Sequence, residues 1–111
     1  MAKNTKVATL LKTARGIIAR GWCRGSMAVD ANGKRVTVKS PKAKNFCAVG
    51  ALRRAEHKLG TTGVATEGRK ALRSVLPGTG RFSASVVAFN DYSTKTDVLK
   101  LFDRAIDKVS K

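Results

Sequence analysis

The stretch Val7-Ala8-Thr9-Leu10-Leu11-Lys12-Thr13-Ala14-Arg15-Gly16-Ile17-Ile18-Ala19-Arg20-Gly21 places Val7, Leu10, Leu11, Ala14, Ile17 and Ile18 at spacings of 3, 4, 7, 10 and 11. That is the period of an α-helix with one apolar stripe, and it makes helix packing the basis of the fold. Lys6, Lys12, Arg15 and Arg20 fall on the remaining arc, and no acid occurs before Asp30, so the outer face is uniformly basic. The helix is expected from Lys3 to Gly21, where the glycine stops it.

Beyond Trp22 the period changes. Met27, Val29, Val36 and Val38 alternate with polar residues around Ala31-Asn32-Gly33, which reads as a short β-hairpin lying on the helical core. Ser40-Pro41 then offers an N-cap and a first-turn proline for a second helix that Gly60 closes. Its inner stripe, Ala43, Phe46, Cys47, Gly50, Ala51 and Ala55, is mostly small, which suits a close helix crossing. A third helix is expected over about Val64 to Leu76, ending at Pro77, and a short one capped by Ser83 and reaching Asn90-Asp91. In the last helix Thr94 and Asp97 form a capping box ahead of Val98, Leu101, Phe102, Ala105, Ile106 and Val109. The expected fold is mainly α: one domain over 1–111, about four helices and a short one, and a β-hairpin between the first two main helices.

The 111 residues are 42% apolar, enough for a core, but only 5% aromatic. No apolar run approaches the roughly 20 residues of a membrane-spanning helix. Lys12 and Arg15 interrupt the only stretch that could serve as an export signal, so a cytoplasmic protein is expected. Cys23 and Cys47 form no CxxC pair, and His57 is the only histidine, so neither a metal nor another cofactor is expected.

Lys and Arg number 23 against 7 Asp and Glu, a net charge of +16. Residues 1–60 carry 14 basic and 2 acidic side chains, a net of +12, and residues 61–111 carry 9 and 5, a net of +4. Self-repulsion at this charge opposes folding, and a polyanionic partner is the simplest reason to bear it. DNA or RNA comes first, because each neutralised phosphate releases counterions and supplies affinity without reading sequence. The candidate contacts are Lys12, Arg15, Arg20, Arg24, Lys34, Arg35, Lys39, Lys42, Lys44, Arg53 and Arg54, with Lys34 and Arg35 on an exposed hairpin tip. Too few aromatics remain outside the core for a base-stacking platform. A helix-turn-helix across Gly60-Thr61-Thr62-Gly63 is also compatible with the pattern, as is any pair of adjacent helices in a small bundle. A nucleic-acid-binding protein complex is the other partner considered, with Trp22 and Tyr92 as anchors.

Three patterns carry a resemblance: Gly21-Trp22-Cys23-Arg24-Gly25, then Asn45-Phe46-Cys47-Ala48-Val49-Gly50-Ala51-Leu52-Arg53-Arg54-Ala55, then Phe89-Asn90-Asp91 followed by Thr94 or Thr96 and Val98 to Ile106. In order and spacing they resemble a family of short, uncharacterised proteins of actinobacteria and bacteriophages, over roughly residues 7–107. The resemblance implies a shared fold and a bacterial or phage source, and no activity; many members of that family are less basic than this chain. A phage origin raises the alternative of an inhibitor bound to a host protein or a defence ribonucleoprotein.

A third reading is a cysteine-dependent hydrolase, with Cys47 as nucleophile, His57 as base and Asn90 or Asp91 as orienter. Ten helical residues between Cys47 and His57 amount to about 15 Å of rise, which prevents a hydrogen bond between them. Cys47 is better explained as a small buried hydrophobe. A non-enzymatic binding protein is therefore expected.

Overall fold

A computed structural model describes the backbone of residues 2–77 and 85–111, with side chains from Thr5 onward in the first helix. Its elements are α1 (Ala2–Arg20), β1 (Ala28–Val29), β2 (Asn45–Phe46), α2 (Ala48–Leu59), α3 (Val64–Ser74), α4 (Val86–Tyr92) and α5 (Lys95–Val109). The fold is mainly helical, with a two-stranded antiparallel pair between α1 and α2, as the periodicity predicts.

α1 is the central helix and packs on α2, α3 and α5. All six stripe residues, Val7, Leu10, Leu11, Ala14, Ile17 and Ile18, are buried, together with Leu52, Leu72, Val98, Leu101 and Phe102 from the helices around it. Two side chains of α1 and α5 reinforce this packing at the surface. Arg15 Nε donates to Asp103 at 2.5 Å, and Lys95 Nζ donates to the Ala19 carbonyl at 2.8 Å, near the negative end of α1. The capping box at the start of α5 is present, with Thr94 and Asp97 exchanging hydrogen bonds.

The second helix begins later than Ser40-Pro41 suggests. Ser40 and Pro41 instead lie in a tight turn, in which Ser40 Oγ accepts the Lys42 N–H at 3.1 Å. The chain then runs extended through β2, which is bonded on both sides. The N–H groups of Lys44 and Cys47 donate to the Val29 and Met27 carbonyls, while Phe46 exchanges bonds with Gly21 and Cys23 in a parallel bridge. These four bonds outweigh the local helix signal. Cys47 thereby becomes the N-cap of α2, its Sγ accepting the Gly50 N–H at 3.3 Å, rather than a residue of the helix stripe.

α2 packs on α1, as its small stripe suggested, but Gly50 serves a different neighbour. A Cβ on Gly50 would collide with the carbonyl of Met27, so it is the loop before β1 that needs glycine there. The Asn32-Gly33 turn forms, with Asp30 Oδ1 accepting the N–H groups of Asn32 and Lys34 at 2.9 Å, and Val29 bridges to Arg35. The ladder partner of Ala28–Val29, however, is Asn45–Phe46, and the expected hairpin arm is reduced to the Arg35 bridge and the Val36 N–H, which donates to the Ala28 carbonyl at 3.2 Å. The side chains of Val36 and Val38 pack against the core.

Gly60, at φ 70°, ends α2 in a left-handed conformation that glycine adopts without strain. Glu56 near that end accepts the Ala65 N–H at 2.9 Å and so covers the start of α3, whose N-cap Gly63 has no side chain to do so. α4 is capped by Ser85, whose Oγ accepts the Ala88 N–H at 3.0 Å; the expected cap Ser83 lies outside the described residues.

Candidate nucleic-acid interface

Arg20 ends α1, Lys39 and Lys44 flank the turn before β2, and Arg54 and Lys58 stand one turn apart on α2. The fold brings these five cations together around one open groove of about 690 Å³, with His57 beside them and Ile17, Pro41, Ala43 and Phe46 as the apolar lining. No carboxylate among the described residues lines it. Arg54 is fixed in place: its Nη1 donates to the carbonyls of Val38 and Ser40, each at 2.9 Å, and its guanidinium lies 5.5 Å from the centre of the Phe46 ring. The other N–H groups of that guanidinium have no protein acceptor among the described residues, and they are the fork with which arginine holds an oxyanion.

The remaining candidates are dispersed. Lys12 lies by the C-terminal end of α5, in a shallow groove with Lys111. Arg15 is committed to Asp103, and Arg35 donates to Ser26 Oγ at 3.0 Å. Lys34 and Lys42 are exposed in their turns, and Arg53 points to a different face from Arg54. Lys58 and His57 belong to the groove although neither was among the expected nucleic-acid contacts. The four-residue step from Arg54 to Lys58, one helical turn, was the available signal for Lys58.

Residues 2–108 match the profile of a family of unknown function (DUF6197). The chain belongs to that family. No curated protein and no solved structure matches this DUF6197 protein.

The three motifs of the DUF6197 chain meet in space at Asn90, which is buried to 1% exposure. Asn90 Oδ1 accepts the Trp22 indole N–H and the Ala48 N–H, while Nδ2 donates to the Cys23 carbonyl and to Asp91 Oδ1. All four hydrogen-bonding positions of the amide are used. Asp91 Oδ1 also accepts the Gly25 N–H at 3.0 Å. Arg24 stacks 5.0 Å from the Trp22 ring centre and donates through Nε to the Ser93 carbonyl at 3.2 Å. Trp22 and Arg24 therefore hold the loop after α1 onto α4. Tyr92, 66% exposed, is the anchor candidate that faces outward.

The two thiols of the DUF6197 protein are both held neutral. Burial pushes Cys47 up, against the opposing pull of the Gly50 N–H. Cys23 is pushed up to about 11, chiefly by burial and then by the nearby Cys47 and Asp91. Thiol nucleophiles need the reverse displacement. Cys47 and His57 sit at opposite ends of α2, and His57 faces the basic groove.

Proposed function

We propose that the protein is a non-enzymatic binder of nucleic acid, DNA or RNA, holding the phosphate backbone in the groove formed by Arg20, Lys39, Lys44, Arg54 and Lys58. The observation that carries this reading is a groove lined, among the described residues, by five cationic side chains and no carboxylate, in a chain of net charge +16. Phe46 lies under Arg54 and is buried, so its ring is closed to a base, and affinity comes from phosphate contacts. The source suggested by the sequence motifs, actinobacteria and bacteriophages, puts this partner in the cytoplasm of a bacterial or infected cell. There, a phage product lying across a host's nucleic-acid path would act as an inhibitor.

Titration of labelled single-stranded and duplex oligonucleotides across a range of salt concentrations tests the proposal. Binding should weaken steeply with salt, and replacing Arg20, Lys44 and Lys58 together by Gln should flatten the log–log slope by about 2 to 3. The same change of charge at Lys12, Lys100 and Lys108 should move the slope far less. Equal effects of the two triple variants, or a slope near zero in the wild type, would overturn the reading.

A further inference from the structure

The side of α2 that carries Arg53 has a different character from the basic groove. Three hollows, of about 840, 310 and 200 Å³, all include Arg53 in their walls. Met27 joins the first two, and Arg69 joins the last two. Met27 and Val87, 45% and 40% exposed, stand at the middle hollow, and the half-buried Val36 and Val38 continue the apolar surface into the largest one. Exposed side chains of this size gathered on one face, with cations among them, mark a contact surface. The base under Met27 is rigid, because its carbonyl accepts the Cys47 N–H at 3.2 Å and abuts Gly50. Its thioether is nonetheless adaptable, as suits a residue that moulds to a partner.

The charges on this face point to one kind of occupant. Arg53 and Arg69 form no ion pair among the described residues. The carboxylates near them, Glu56 and Asp91, are turned onto backbone N–H groups, of Ala65 and of Gly25. A second copy of the chain would bring the same cations and a further +16 of charge, which disfavours self-association here. A nucleic-acid backbone would satisfy the arginines and leave Met27, Val87 and Val36 uncovered. We propose that this face docks a segment of a partner protein in which acidic residues alternate with large apolar ones, the acids meeting Arg53 and Arg69 and the apolar side chains entering the hollows beside Met27 and Val87.

This inference stands apart from the nucleic-acid reading. Lys39 and His57 line both the basic groove and the largest hollow and form the ridge between the two sites, so variants away from that ridge report on one site at a time. A displayed library of random 12-residue peptides, selected against the intact chain at near-physiological salt, provides the probe. The enriched peptides should combine Asp or Glu with Leu, Phe or Met. A synthesised representative should bind at least about tenfold more weakly to Arg53→Gln/Arg69→Gln and to Met27→Ser/Val87→Ser, both with unchanged circular dichroism, and equally well to Arg20→Gln/Lys44→Gln. Three results would each overturn the proposal: no enrichment, enriched peptides indifferent to Met27→Ser/Val87→Ser, or purely acidic peptides weakened equally by Arg20→Gln/Lys44→Gln. The last would show general polyanion capture.

Discussion

The side-chain oxygen of Asn90 accepts the indole N–H of Trp22 at 2.8 Å, joining two residues 68 positions apart. The same oxygen receives the Ala48 N–H at the start of α2. Removing the amide leaves these donors and the Cys23 carbonyl without their partner around a buried position, each at a cost of about 1–3 kcal/mol. Asn90→Ala should therefore lose about 3 kcal/mol or more in urea unfolding, with a marked change in Trp22 fluorescence. A loss under about 1 kcal/mol would show that water replaces the amide.

The raised thiol of Cys23 makes stability depend on pH at the alkaline end. The folded value, about 11, lies above the ordinary 9.0, so the neutral thiol is favoured by folding. This contribution is fully present below about pH 9 and is lost as pH rises through the folded value near 11. Urea midpoints of the wild type should fall over that window relative to those of Cys23→Ala, in which the titrating group is gone. Alkylation of Cys23 by iodoacetamide in the native protein should also remain slow at neutral pH. Parallel midpoint curves for the two proteins would contradict the prediction.

Two glycines in helices should respond in opposite directions to alanine. At Gly16 an added Cβ meets nothing within 4 Å, so Gly16→Ala should stabilise α1 by about 0.5–1 kcal/mol. At Gly50 the Cβ would overlap the Met27 carbonyl, and Gly50→Ala should cost more than about 2 kcal/mol by pushing the loop before β1 off α2. Thermal denaturation of both variants measures the contrast.

The Thr61 hydroxyl is buried and has no hydrogen-bond partner among the described residues. Replacing it by the isosteric Val removes an unsatisfied polar group without opening a cavity. Thr61→Val should raise stability by about 1 kcal/mol, and a destabilised variant would reveal a partner such as a bound water.

The helical periods and end signals were legible from local spacing alone. The α1 stripe, the Gly60 stop and the Thr94–Asp97 box each depend on residues within a few positions of one another. The start of α2 was not legible, because Ser40-Pro41 is a sound cap signal that long-range bonds from Gly21, Cys23, Met27 and Val29 override. The candidate site divides in the same way. Composition showed that the chain carries cations to spare, and Arg20, Lys39, Lys44 and Arg54 were among those singled out. Which arginines were already engaged depends on tertiary partners: Arg15 on Asp103, Arg24 on Ser93, Arg35 on Ser26. The partners of Asn90 were hidden for the same reason, since they come from the loop after α1, the start of α2 and its own neighbour Asp91.

The placement of Asn90 bears on whether the chain can be divided. A cut between α3 and α4 would leave the N-terminal piece with the Trp22 and Ala48 donors and the Cys23 carbonyl, and the C-terminal piece with the one side chain that serves all three. α1 would also lose the flank that α5 covers, exposing apolar surface of both helices to water. The halves are thus complementary fragments, each lacking what the other carries, and native structure should return only when both are mixed, at a rate that rises with their concentration.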